Sequence, residues 1–329
     1  MAIYAFGAFG TNNIGDEAIF NGLSEEYPGA IQMYVNKVPK WGAGTTPAVW
    51  YADFLTGVKH FVKEDTLIIG GGGLLHSMQA INDYYTMAQL VFDVGGKVII
   101  EGLGAEGLQT EYKPIVKNLL SLATHISVRT TTSRELLQPL TTKKVDVRAD
   151  FAYSMKWKRA QLGPLFRAKY IGIVVGGTTN LHEYDELCEL IKKYSVGATH
   201  FNFLILPHSI SYTNPMNNDR LVAQYIWSNC DIYHSYREDR INILEYLPSC
   251  PEDMVSLYSE LMYGVIGWRY HSLIFSELAN KPILLAAPTF KNMAYVKDVK
   301  RSNLIVKQNN ETLEQAFLNL IPLLAVEQF

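Results

Sequence analysis

The chain carries three basic side chains at suggestive places in one stretch, GWRYHSLIFSELANKPILLAAPTFKN. Arg269 and His271 come at the end of an apolar run and open a helical pattern; Lys291 follows the next apolar run, KPILLAA. A helix start presents unsatisfied backbone N–H groups and the positive end of the helix dipole. One histidine at such a place is usually a cap or a core residue. Three basic residues on neighbouring strand ends point instead to an anion site. Near the other terminus, GAFGTNNIGDEAI (7–19) poses the opposite problem. A phosphate loop would place a lysine and a hydroxyl after its last glycine, and this chain has Asp16 and Glu17 there. Two readings are open. The acids sit in a first helical turn, where the dipole favours them, or they face a neutral hydroxyl substrate, which carboxylates can orient and deprotonate. Gly7 and Gly10 permit a tight turn, and Asn12, Asn13 and Gly15 complete it.

Three further places lie just after apolar runs. Gly70, Gly71, Gly72 and Gly73 form a run where a side chain would block either a ligand or another backbone, and both remain open. Arg129 ends a buried run, HISVR, where a charge is costly unless paired. Its partner is an anion or a structural acid such as Asp150; Arg134 is expected on a solvated helix face. His208, after HFNFLIL, is equally a ligand contact or a structural histidine.

Positioning these residues requires a scaffold of strand ends. In the first half, β-like runs fall at 3–7, 30–35, 66–71, 97–102, 124–129 and 144–150. Several are continuously apolar, as in parallel strands buried on both faces. Helical patterns lie between them, including 81–94 and SRELLQPL, with Ser133 as its expected N-cap. The polar stretch 155–168, with Gly163 and Pro164, reads as a linker. Runs resume at 169–177, 200–206, 230–236, 263–268, 281–287 and 303–307. Helices are expected from Ser249 with Pro251 in its first turn, from His271 to Asn280, and over ETLEQAFLNLIPLLA. The pattern predicts an α/β fold of two doubly wound, Rossmann-like domains facing across a cleft: residues 1–158, residues 168–308, and a terminal helix at 309–329 packing back on the first domain. In such sheets ligands bind beyond the carboxyl ends of the strands.

Bulk composition narrows the function classes. The chain has 329 residues, 48% hydrophobic and 19% charged, enough to bury a sizeable core. Net charge is −3 and no basic run occurs, which argues against a nucleic-acid partner. Cys188, Cys230 and Cys250 lack metal-type spacing and read as reduced thiols of a cytoplasmic protein. No signal or spanning segment is evident, which leaves a peripheral contact at the membrane surface open. Adjacent acids at a helix start diverge, so Asp16 and Glu17 make a poor metal cage, and no metal is expected.

The ordered pieces GTNNIGDEAI, DTLIIGGGGLLH, HISVRTTTSRELL, VDVRADFAYSM and GWRYHSLIFSELANKPILLAAPTFKN resemble the polysaccharide pyruvyl transferase family and span most of the chain. The resemblance implies a GT-B-like fold. It also implies transfer of the enolpyruvyl group of phosphoenolpyruvate to a sugar of a cell-surface polysaccharide or its precursor. The product is a cyclic pyruvate ketal on two hydroxyls, with phosphate released and no cofactor. The acceptor is free, nucleotide-linked or lipid-linked. By motif, Arg129, Arg269, His271 and Lys291 would bind phosphoenolpyruvate. Asp16, with Glu17 or His271 as the alternative, would carry the protons; Asn13, Gly15, Gly72, Gly73 and His208 would shape the acceptor side or its loops. The chain departs from the family pattern at Thr130, where an acid commonly follows the arginine, and at Thr289, often a tyrosine. Two other classes stay in play: a nucleotide-sugar glycosyltransferase of the same architecture, and a non-catalytic glycan-binding relative.

Overall fold

The computed structural model describes residues 1–35, 47–158, 169–195, 201–211, 214, 217–230, 241–243 and 250–324. Two compact units are present: Met1–Lys156 with Met293–Val299, and Trp157–Asn292 with Lys300–Phe329.

The first unit holds strands β1 (Ile3–Phe6), β2 (Ile31–Tyr34), β3 (Ala48–Trp50), β4 (Thr66–Gly73), β5 (Lys97–Gly104), β6 (His125–Val128) and β7 (Asp146–Val147). Its helices are α1 (Ile14–Glu26), α2 (Ala52–Leu55), α3 (Met78–Asp93), α4 (Lys113–Leu122) and α5 (Thr131–Leu137). The second unit holds β8 (Tyr170–Val174), β9 (Phe203–Ile205), β10 (Ile241–Ile243), β11 (Met262–Gly267), β12 (Ile283–Leu285) and β13 (Leu304–Val306). With them come helices α6 (Asp185–Tyr194), α7 (Asp219–Asn229), α8 (Pro251–Leu261), α9 (Tyr270–Leu278) and α11 (Leu313–Leu324). Helix α10 (Phe290–Asp298) begins in the second unit, and its residues from Met293 group with the first.

Both sheets are parallel, with orders β3-β2-β1-β4-β5-β6-β7 and β10-β9-β8-β11-β12-β13. The apolar strands are buried on both faces, as the continuous runs required. On β4, Leu67 and Ile69 join one core and Ile68 the other; on β5, Val98 and Ile100 part from Ile99 in the same way. Each order reverses once, between β1 and β4 in the first sheet and between β8 and β11 in the second. These are the topological switch points, where open α/β sheets leave a crevice for ligands.

Several local expectations are corrected. Thr130, not Ser133, caps α5, accepting from the Ser133 N–H; it stands three residues nearer the end of β6. Helix α8 starts at Pro251 after an extended Cys250, and α9 at Tyr270, one residue earlier than expected. The run 144–150 contributes only Asp146–Val147 as strand, because Asp150 turns the chain by accepting from the Ala152 N–H. The terminal helix groups with the second unit. Its Leu313, Ala316, Phe317, Leu320 and Leu324 fill the second unit's own core. Short β3 and β10 carry too few residues to have signalled strands. The expected strand at 230–236 lies, beyond Cys230, outside the described residues, as do residues 159–168 of the linker.

Close packing explains Gly70 and Gly71 in the glycine run of β4. A Cβ on Gly70 would lie 1.8 Å from the Glu101 carbonyl oxygen; on Gly71, with φ +72°, it would lie 1.9 Å from Ile19 Cγ2. Helix α1 therefore seats directly on this strand. Gly71→Ala is expected to destabilise the first unit by roughly 2–4 kcal/mol, combining left-handed strain with overpacking. Urea unfolding of the variant checks this, and an unchanged midpoint would contradict it.

Candidate functional site

In the second unit, β11 ends at Gly267 and the chain turns through Trp268 to Arg269, the extended N-cap of α9. This is the switch point beside β8. Arg269 Nε donates to both Asp219 oxygens, at 2.8 and 3.1 Å, and Nη2 donates to Oδ1. Asp219 is fully buried at the first turn of α7 and also accepts the backbone N–H groups of His208 and Ser209, each at 2.9 Å. That one carboxylate ties the exit of β9 to the arginine and fixes the guanidinium's direction. The Arg269 side chain keeps 17% of its exposure, so it is held without being sealed.

Lys291 follows β12 and places Nζ 5.0 Å from the Tyr270 ring centroid, a cation–π contact. His271 is buried in the first turn of α9, its ring 5.2 Å from that of Tyr270 and 6.1 Å from Phe275. Asn292 braces the two loops: its Nδ2 donates to the carbonyls of Trp268 at 3.2 Å and Ala287 at 2.9 Å. Beyond β8, the Tyr184 hydroxyl donates to the Gly176 carbonyl at 2.7 Å and accepts its N–H at 2.9 Å. His271 and Lys291 thus both lie against Tyr270, the residue that follows Arg269. Asp219, Asn292 and Tyr184 were not singled out from the sequence. Asp219 opens a helix behind two asparagines, which resembles an ordinary first-turn acid.

His208 is corrected to the structural alternative. It is 1% exposed, and its Nε2 lies 2.9 Å from the Tyr258 hydroxyl. Burial, then the charge of Arg269, push its pKa down to about 3, so it stays neutral.

In the first unit, Asn13 caps α1 by accepting the Gly15 N–H at 3.1 Å. Gly10 and Asn12 both have positive φ, at +74° and +59°, so the turn reading of this loop holds. The two acids diverge. Asp16 is half-buried over β4, where a Cβ on Gly72 would lie 3.4 Å from Asp16 Oδ1. It also lies near buried Tyr84, whose pKa is raised by burial and then by the Asp16 charge. Gly73 ends β4, and its carbonyl lies 2.9 Å from His76 Nδ1. Glu17 turns inward, accepting from the Gly10 N–H at 2.7 Å and from Gln32 Nε2 at 2.9 Å. Burial first, then Asp16, push its pKa up to about 7 against those hydrogen bonds. Glu17 therefore holds the glycine loop, and Asp16 is the acid presented at the strand ends.

Arg129 pairs with two acids, Asp150 and Glu106. Its Nη1 lies 3.4 Å from Asp150 Oδ2 and its Nη2 3.3 Å from Glu106 Oε2, and its side chain is fully buried. A Cβ on Gly104 would fall 2.6 Å from Nη2, so the glycine makes room for the guanidinium. Glu106 also accepts from the Thr130 and Ser133 hydroxyls, at 2.9 and 3.0 Å. Burial pushes Glu106 up, but Arg129, its own N–H and these hydroxyls together hold it below the usual range. Arg129 belongs to the first unit, and Arg269, His271 and Lys291 to the second. Among the described residues, no group of three or more His, Cys, Asp or Glu is arranged to hold a metal ion.

A family model described as polysaccharide pyruvyl transferase matches residues 13–287. Among solved structures, the chain is similar to HepE of Anabaena in complex with UDP (TM-score 0.61, 11% identity, covering 100% of this chain and 91% of that one). It is also similar to the Methanocaldococcus jannaschii UDP-GlcNAc 2-epimerase in complex with UDP-GlcNAc and UDP (TM-score 0.58, 10% identity, 100% and 94%). A third is S. aureus MnaA with UDP (TM-score 0.58, 13% identity, 99% and 88%). At these identities the likeness is one of fold, the GT-B-like pairing of two Rossmann-like units. No curated protein matches in sequence.

Proposed function

Because the chain belongs to the polysaccharide pyruvyl transferase family, we propose that it transfers the enolpyruvyl group of phosphoenolpyruvate to two hydroxyls of a sugar in a cell-surface polysaccharide or its precursor. The observation that carries the reading is the cluster at the start of α9. Arg269 is aimed by Asp219, with His271 two residues on in the first turn and Lys291 over Tyr270. Phosphoenolpyruvate bears a carboxylate and a phosphate, both suited to a guanidinium fork and helix-start N–H groups. Arg129, held at the end of β6 by Glu106 and Asp150, is the donor-binding arginine that this reading assigns to the first unit.

In this mechanism the donor's methylene takes a proton, leaving positive charge at C2. A sugar hydroxyl attacks C2 and gives up its proton. The C2–O bond to phosphate breaks, and phosphate leaves beside the cations of the second unit. The second hydroxyl closes on C2, loses its proton and completes the ketal. One proton enters at the methylene and two leave the hydroxyls; the departing phosphate takes up the second of these, so no proton is released net. Asp16 is the residue for this proton traffic, with Glu17 holding its loop. Asp16→Asn is expected to lower turnover by about 10²–10⁴-fold with phosphoenolpyruvate binding kept; single-turnover phosphate release measures it.

Calorimetric titration with phosphoenolpyruvate, and separately with UDP- and GDP-sugars, tests the assignment. Phosphoenolpyruvate should bind, and Lys291→Ala should weaken it roughly tenfold to a hundredfold, the loss of one charge-assisted contact. Nucleotide-sugar binding without any response to phosphoenolpyruvate would overturn the proposal in favour of a glycosyltransferase. That second reading has one support, the UDP bound by proteins of similar fold.

A further inference from the structure

Both sheets carry their candidate residues at the carboxyl ends of strands. At the opposite edge of the first sheet, apolar side chains gather in water. Of the twelve large hydrophobic residues exposed among the described residues, five lie there: Leu55, Val58, Val62, Phe92 and Val94. Val58 is 72% exposed, and Val62 and Phe92 each 51%. They come from two segments leading into neighbouring strands, the loop before β4 and the end of α3 before β5. The segments meet: a Cβ on Gly95 would lie 3.6 Å from Lys63 Cγ, and the Lys97 N–H donates to the Asp65 carbonyl at 2.9 Å.

This surface is built and held. Phe54 and Phe61, on either side of the exposed loop, are buried and stack at 4.2 Å between centroids. The loop tip is closed by the Lys59 N–H donating to the Asp53 carbonyl at 2.9 Å. At the loop's end, the buried Asp65 carboxylate accepts from the Val62 N–H at 3.0 Å and the Ala2 N–H at 2.8 Å. Exposed Lys59, His60, Lys63 and Lys97 surround the apolar tips, with Glu64 and Asp93 as the exposed acids among them.

We propose that this edge of the first unit docks on an anionic phospholipid surface. Valine and phenylalanine tips can enter the headgroup boundary while lysine stems lie along it with their ammonium groups toward lipid phosphates. Isolated surface apolar residues need no explanation, but a contiguous patch rimmed by polar groups does. Lys59, Lys63 and Lys97 outnumber Glu64 and Asp93 here, so the patch is net positive; an anionic lipid surface complements that charge and a second copy, bearing the same net charge, does not. Among the described residues no helix is long and apolar enough to cross a bilayer, so the contact is one of lying on the membrane. The inference goes beyond the transfer reading and does not depend on the donor chemistry.

Sedimentation of the full chain with vesicles tests it, comparing pure phosphatidylcholine with vesicles containing about one-third phosphatidylglycerol, at about 0.05 and 0.5 M salt. Neither phosphoenolpyruvate nor sugar is added. The expected result is salt-sensitive binding to the anionic vesicles alone. Lys59→Ala/Lys63→Ala should weaken it about 30-fold, and Val58→Ser/Val62→Ser at least tenfold. Equal partitioning to both vesicle types would overturn the proposal, as would binding that neither double variant changes. A change in oligomeric state by light scattering, without vesicle binding, would overturn it in favour of self-association. Donor binding and turnover with soluble substrate should be unchanged in both variants, so failure here is read separately from failure of the transfer reading.

Discussion

Arg269→Ala should abolish phosphoenolpyruvate binding and also lower the stability of the second unit by about 3–5 kcal/mol, the usual cost of stranding one member of a buried ion pair. Asp219 is 0% exposed, and without the guanidinium it would keep, among the described residues, the N–H groups of His208 and Ser209. Loss of binding in this variant therefore mixes two causes, which a second variant separates. In Arg269→Met/Asp219→Asn the stranded charge is gone and an amide oxygen still accepts a backbone N–H. Most of the stability should return while donor binding stays absent. Urea unfolding followed by calorimetry reads both. An Arg269→Ala protein with an unchanged midpoint would show that Asp219 does not depend on this arginine. A double variant that binds phosphoenolpyruvate like the parent would remove Arg269 from the donor site.

Glu17→Gln should change how stability responds to pH. In the folded chain the Glu17 pKa is raised from 4.5 to about 7, mainly by burial. The folded state thus holds the proton more tightly than the unfolded chain does. Its stabilising contribution is complete below pH 4.5 and is lost as pH rises through about 7. Spread over that interval, the loss amounts to about 3 kcal/mol. A glutamine accepts the Gly10 N–H without ever ionising, so the variant should match the parent near pH 4 and exceed its stability by up to about 3 kcal/mol near pH 8. Denaturant midpoints across that range measure it. A parent profile that is flat between these limits would mean that Glu17 is already ionised in the fold. Since Asp16 carries the proposed chemistry, the variant should retain most of its turnover.

Much of this protein is legible along the chain, because strand, turn and helix follow one another within a dozen residues. The apolar runs ending at Phe6, Gly73, Gly104 and Gly267 identify buried parallel strands. Once the strands are placed, Asp16, Arg129, Arg269 and Lys291 fall at their carboxyl ends without reference to any long-range contact. That is local information, and the sequence by itself determined it, together with the family to which the ordered motifs belong. Partner choice is not local. Asp219 stands 50 residues from Arg269, and Glu106 23 from Arg129. No spacing rule links them, because the sheet order brings those loops together. The same holds for desolvation. Asp16 and Glu17 are neighbours in a first helical turn with the same charge, and only the seating of α1 on the glycines of β4 turns one toward the strand ends and the other into the core. Arg129 and Arg269 likewise share a position at a strand end. The tertiary structure alone encloses the first between two carboxylates and leaves the second partly open, because burial and pairing energies depend on what the rest of the chain packs around each charge.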